Sequence, residues 1–374
     1  MKREDLRNCK RIVVKVGTSS ITYPTGKVNL GKMECLIREL SDLHSAGREL
    51  ILVSSGAVGA GVGKLNCPPP SSLPEKQALA AIGQGILMHM YEKFFSEYSK
   101  SVAQVLLTRD CFSDPVRYLN SRNTLFSLLN FGVIPIINEN DTVAVDELKF
   151  GDNDTLSAMA ACNAEADLLL ILSDIDGLCD SDPRKNETAR LIPEVSEITA
   201  EMTENSKAKG GALSSGGMFT KLSAARMTMA NGIPLVIASS DEPGVLRRAA
   251  GGEAVGTLFL PFREGGYASR RRWIAAGSAA AGTVTVDDGA AEALLRRGKS
   301  LLPSGVVKIE GVFKAGDVVG VKNASGAEIA RGITNYSHED AVKILGRRTS
   351  EIEEILGRRD YEELIHRNNM AVLM

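Results

Sequence analysis

RIVVKVGTSSITYPTGKVNLGKMECLIRELSDLHSAGRELILVSSG, residues 11–56, carries the pattern that decides the fold. Arg11–Val16 is a short β-branched run that stops on Gly17, Thr18, Ser19 and Ser20. Leu30, Met33, Leu36, Ile37, Leu40 and Leu43 then recur at steps of three and four, the period of one helix face. Glu49–Val53 is a second run of strand length, closed by Ser54-Ser55-Gly56. Strand, helix and strand in succession predict a βαβ unit and hence a parallel sheet covered on both faces.

The alternation continues to about residue 260. Strand-like runs at Val102–Leu107, Val133–Ile137, Asp167–Leu172 and Ile233–Ala238 are separated by stretches of helical period at Glu75–Tyr98, Asp114–Asn130, Asn153–Asn163 and Gly217–Asn231. Near residue 262 the character changes. FREGGYASRRRW reads as a connection. Gly282–Val286, Gly305–Glu310, Val318–Lys322 and Glu328–Gly332 are short β-like runs interrupted by helical pieces at Gly289–Arg297 and Ser337–Leu345. The expected organisation is a domain over 1–262, a connection over 263–277, a small β-rich domain over 278–357 and a charged, partly helical tail over 358–374.

The 374 residues suit two domains, and 44% hydrophobic with 24% charged residues is ordinary globular composition. A net charge of −2 argues against a general nucleic-acid-coating role. Six cysteines form no CxxC pair and do not cluster with the four histidines, which disfavours a zinc site or a disulfide framework. MKREDLRNCK has no apolar stretch of signal-peptide length, and no window approaches 18 apolar residues, so a cytoplasmic location with no membrane span is expected.

Ligands of parallel α/β sheets bind beyond the carboxyl ends of the strands, so the residues there are the candidates. Lys15 inside an apolar strand, followed by Gly17 and hydroxyls, suits an anionic group, or else a lysine reaching from a strand edge into solvent. Ser54-Ser55-Gly56 opens a Gly/Ala-rich helix whose spacings match neither a Walker A loop nor GxGxxG. That helix start could bind an anion, or its small residues could serve close packing. NENDTVAVDELKFGDNDTLSA, residues 138–158, gathers carboxylates and amides after a strand. They fit an ammonium-bearing substrate, Mg²⁺, or the orientation of nearby lysines. Ser173-Asp174-Ile175-Asp176-Gly177 suits a ribose or a nucleotide's phosphates, or is an ordinary Asx turn. Lys209 to Lys221 is glycine-rich and opens a helix, a pattern for phosphate binding or else for a flexible Gly/Ser linker, and its place before an apolar helix favours phosphate binding. Two lysines far apart, glycine-rich N–H donors and acids between them are what phosphoryl transfer requires, and a carboxylate acceptor would need no general base.

Taken in order, KVGTSS, VSSGAVGAG, EKQALAAIGQ, NENDTVA, GDNDTLSA, LSDIDGL with DPR, SGGMFTK and the RRRW region resemble the bacterial glutamate 5-kinase family of the amino acid kinase superfamily, with its C-terminal PUA domain. The resemblance runs over roughly residues 9 to 357. It implies a three-layer αβα sandwich with a mainly parallel open sheet plus a small β-rich PUA domain. It also implies ATP-dependent, Mg²⁺-assisted phosphorylation of the side-chain carboxylate of L-glutamate, the first step of proline synthesis. Lys15, Lys221 and Asp154 would be catalytic, with Asp154 orienting the lysines. Ser55, Asp141, Asp152 and Asn153 would bind glutamate. Lys15, Ser173, Asp174, Ser215, Gly216, Gly217, Met218, Phe219, Thr220 and Lys221 would hold ATP, with Mg²⁺ travelling on the nucleotide and no metal site of the protein's own. Ser173 replaces a common Thr and keeps its hydroxyl; Cys179-Asp180 replaces an aromatic and a hydroxyl beside the nucleotide. The resemblance further implies a homo-oligomer, dimer or tetramer, inhibition by proline, and transient contact with glutamyl-phosphate reductase. From Ser278 onward basic and acidic residues are roughly equal in number, so RNA binding by the second domain is not expected. The competing readings are a sister kinase acting on another carboxylate or carbamate, and an RNA-binding protein.

Overall fold

The computed structural model describes residues 1–144, 153–181, 186, 188–207, 217–262 and 280–373. The chain divides into two compact units, residues 1–113 with 121–266 and residues 114–120 with 267–374. The strands of the first are β1 (Arg11–Val16), β2 (Glu49–Ser54), β3 (Val102–Leu107), β4 (Ile134–Glu139), β5 (Leu168–Ser173), β6 (Glu194–Val195), β7 (Leu235–Ser239) and β8 (Thr257–Phe259). Among them run α1 (Leu30–Ser45), α2 (Ala57–Leu65), α3 (Leu73–Glu97), α4 (Asp110–Ser113), α5 (Pro115–Asn130, of which the first unit holds residues from 121 on), α6 (Asn153–Asn163), α7 (Ala200–Lys207), α8 (Met218–Ala230) and α9 (Val245–Ala250).

The eight strands lie in the order β3-β4-β2-β1-β5-β7-β8-β6. Every pairing is parallel except β7 with β8. From β1 the chain builds outward to β2, β4 and β3, then returns to place β5 and β7 on the other side. The direction of winding reverses beside β1, and the crevice at the carboxyl ends there is where such sheets bind ligands.

Side chains of a strand alternate between faces, and the two cores show which face is which. Ile12, Val14 and Val16 of β1 pack with α1, α2, α3 and α9. Val13 packs on the opposite side with α5, α6 and α8. Both faces are therefore apolar and covered, which gives the expected three layers.

In the second unit β9 (Gly282–Val286), β10 (Val306–Gly311), β11 (Val318–Lys322), β12 (Glu328–Ile333) and β13 (Met370–Val372) form a sheet in the order β10-β9-β11-β12-β13. It is accompanied by α10 (Asp288–Arg297), α11 (His338–Lys343) and α12 (Ile352–Leu356). Its own core includes Val284, Leu294, Phe313, Val319, Tyr336 and Ile344. The stretch expected as a tail behaves differently: Leu364 and Ile365 are buried, and β13 runs antiparallel to β12. The few apolar residues there were masked by the charges around them, and three residues of strand are too short to show alternation.

Candidate active site

Period two on β1 sends Lys15 to the same side as Val13, toward α6 and α8. Its register neighbours are Val53 on β2 and Ile171 on β5, so nothing beside it in the sheet is polar. Lys15 does not extend into solvent: it is 4% exposed. Its ammonium meets α6, whose buried Ala158, Ala160 and Ala161 let that helix lie close to the sheet. Asp154, in the first turn of α6, is wholly buried and lies 2.6 Å from Lys15 Nζ through Oδ1. Its Oδ2 accepts from Lys221 Nζ at 3.1 Å and from Thr220 Oγ1 at 3.0 Å. Residues from β1, α6 and α8 thus converge on one carboxylate.

A cation in the first turn of α8 opposes the helix dipole, and burying it adds a desolvation cost. Asp154 offsets part of both. Two ammonium groups still carry more N–H donors than one carboxylate accepts, and α6 and α8 both present their N-terminal ends here. The arrangement suits an anion arriving between the lysines.

Next to Asp154, the Asn153 amide nitrogen donates to the Ser54 carbonyl (2.7 Å), Ser55 Oγ (3.0 Å) and Asn138 Oδ1 (2.9 Å). Asn138 in turn donates to Gln84 Oε1 at 2.8 Å. Ser54, Asn138 and Glu139 belong to strands rather than to the loops the sequence suggested, because β2 and β4 run one and two residues further than the apolar pattern. Gln84 also lines a cavity of about 300 Å³ with Ala57, Gln104, Glu139, Asn140 and Asp141. Asp141 thus shares a cavity with Gln84, which two hydrogen bonds, through Asn138, connect to Asn153.

On the other side of β1, Ser173 ends β5 in register with Ser239, and its hydroxyl donates to Asp174 Oδ1 at 3.1 Å. Gly217 precedes α8, and a Cβ built there would meet no other atom of the described residues within 4 Å. Beyond it a cavity of about 290 Å³ is lined by Leu178, Cys179, Ile192, Met202 and Met218 together with Asp180, Thr199, Glu201 and Ser206. Apolar walls with a few polar groups among them are the usual lining of a small-molecule site. Asp152, Ser215 and Gly216 lie outside the described residues, as do Asp146 and Glu147. Among the described residues no group of three or more His, Cys, Asp or Glu is placed to hold a metal ion.

Comparison with known proteins places these features. Residues 10–239 match the amino acid kinase family and residues 282–356 the PUA domain. The chain is 53% identical over 373 residues to glutamate 5-kinase of Carboxydothermus hydrogenoformans, covering 99% of this chain and 100% of that protein. It is 54% identical to glutamate 5-kinase of Caldanaerobacter subterraneus subsp. tengcongensis, covering 97% and 98%. The chain belongs to the glutamate 5-kinase family. A carbamate kinase from Giardia lamblia bound to AMP-PNP shares the fold of the first unit, at 20% identity and a TM-score of 0.50 over 68% of this chain and 99% of that one. Membership of the glutamate 5-kinase family brings with it the amino acid kinase fold and the use of ATP. Asn138 and Gln84 lie in the NENDTVA and EKQALAAIGQ motifs, but the sequence gives neither an individual role, since an Asn at a strand end reads as a turn former and a Gln in an Ala-rich helix as surface.

Proposed function

We propose that the chain transfers the γ-phosphoryl group of ATP to the side-chain carboxylate of L-glutamate, releasing ADP and L-glutamyl 5-phosphate at the start of proline synthesis. The observation that carries this reading is the convergence of Lys15 and Lys221 on the buried Asp154. In phosphoryl transfer charge spreads over the equatorial oxygens, and catalysis is mainly positioning and electrostatic stabilisation. Lys15 and Lys221 neutralise that charge from two sides, and Asp154 fixes both ammonium groups so that little reorganisation accompanies the reaction. The acceptor is already a carboxylate, so no side chain need remove its proton.

Ser55, Asn153 and Asp141, with Asp152, hold the amino-acid end. Asp141 is a carboxylate acceptor for the ammonium group, while Ser55 and Asn153 offer hydroxyl and amide groups. Ser173, Asp174 and the backbone from Ser215 to Lys221 hold the nucleotide, with the cavity around Leu178 and Met218 receiving its base. Mg²⁺ comes with the nucleotide's phosphates. Asp154 is not placed to ligate it, because both carboxylate oxygens face ammonium groups.

No helix of the described residues is long and apolar enough to cross a membrane, which fits a cytoplasmic enzyme. Assembly as a dimer or tetramer, inhibition by proline and transient contact with the reductase that consumes the acyl phosphate belong to the same reading. The test is ADP release and hydroxamate trapping with glutamate, aspartate, N-acetylglutamate, carbamate and UMP as acceptors. Turnover with glutamate alone is expected. Turnover with another acceptor and none with glutamate would replace this reading with a sister kinase.

A further inference from the structure

Tyr91 sits in the middle of α3 with no exposed surface, and its hydroxyl is buried with it. A Phe would fill the same space without a polar atom, so the hydroxyl needs a partner to offset its desolvation. It has one: Ser54 Oγ at 2.8 Å. Ser54 is the last residue of β2 and is itself 2% exposed. Ser54 Oγ also lies 3.1 Å from the Ser55 carbonyl, to which it can donate while accepting from Tyr91. Burial pushes the Tyr91 hydroxyl's pKa up, against a smaller opposing effect of Ser54.

A hydrogen-bonded path thus links Tyr91 Oη, Ser54 Oγ and the Ser55 carbonyl. It reaches the turn from the α3 layer. From the opposite layer Asn153 holds the Ser54 carbonyl and Ser55 Oγ. The two residues at the end of β2 are thus fixed from both faces of the sheet, just before Gly56 turns the chain in the left-handed region at φ +97°.

We infer that Tyr91 is a positioning residue for the amino-acid substrate, acting through Ser54 to set the orientation of Ser55. The inference rests on the proposed placement of glutamate at Ser55, Asn153 and Asp141. Without the Tyr91 hydroxyl, the Ser54 side chain is released to its other staggered rotamers. The Ser55 carbonyl then loses its fixed donor, and part of the binding energy must go to re-ordering the turn. Lys15, Asp154 and Lys221 lie toward the other helix layer and keep their contacts.

The test compares Tyr91→Phe, Ser54→Ala and the double variant in glutamate-dependent ADP release, with thermal unfolding of each. Each single change is expected to raise the KM for glutamate roughly three- to tenfold, the scale of one lost hydrogen bond, with kcat and the KM for ATP within about twofold. Ser54→Ala also leaves the Tyr91 hydroxyl buried without a partner and should lower Tm. The double variant removes both polar groups and should recover Tm while the glutamate KM stays raised. A Tyr91→Phe enzyme with an unchanged glutamate KM would overturn the inference whatever its Tm. So would a double variant whose KM recovers together with its Tm. If the wild-type chain shows no glutamate-dependent turnover, the proposed function has failed instead, and the variants are not needed to show it.

Discussion

Removing Lys221 and removing Asp154 are unequal injuries to one triad. Lys221→Met keeps the apolar stem and leaves Asp154 paired one to one with Lys15 at 2.6 Å. Its Tm should stay near that of the wild type, while kcat falls by roughly 10²–10³ or more through loss of preorganised charge. Asp154→Ala leaves two ammonium groups in a layer without their carboxylate, and breaking a buried pair in this way costs about 3–5 kcal/mol. Turnover and thermal unfolding measured on both variants separate the roles; normal turnover in Lys221→Met would remove that lysine from the chemistry. The sequence marked Lys15 as unusual, a charge within RIVVKV, but left open whether it reached into solvent; the structure buries it. Its partnership was not legible. Asp154 and Lys221 are 67 positions apart, and no local pattern joins residues at that distance; family resemblance paired them and the fold brings them into contact.

The glycines after β2 tempt a phosphate-loop reading, and the crossing of α2 and α3 explains much of that composition differently. A Cβ on Gly83 of α3 would lie 1.7 Å from the Ala57 carbonyl, and one on Gly61 of α2 would lie 2.1 Å from the Leu79 carbonyl. The two helices touch backbone to backbone, which only hydrogen at those positions allows. Gly83→Ala must force them apart, at a cost of about 1–3 kcal/mol or more. Because Ala57 directly follows the Ser55-Gly56 turn, the same change should raise the glutamate KM; a variant with wild-type Tm and KM would show that the crossing tolerates the methyl group. Long elements were legible because α1 and α3 have room to display a period. β6, β8 and β13 span two or three residues each and display none. Pro135 lies inside β4, where a central strand ordinarily has no proline. The β2 register begins at Ile136, so the missing N–H falls before that ladder starts.

The two units have separate cores, and only the first carries the catalytic candidates. The second depends on residues beyond 357 to finish its sheet. Deleting 358–374 removes β13 together with the buried Leu364 and Ile365. Hydrogen exchange should then lose protection across β11 and β12 while β1 and β5 keep theirs, since stability is organised in local cooperative units. Retained protection in β12 would show that the final strand is dispensable. A different consequence follows from the position of Lys15. β1 is the central strand, yet one of its two neighbours, β5, lies more than 150 residues further along the chain. The carboxylate that meets the Lys15 ammonium lies on α6, likewise far along the chain. Burial of Lys15 therefore depends on contacts between distant parts of the sequence, the kind that slow folding.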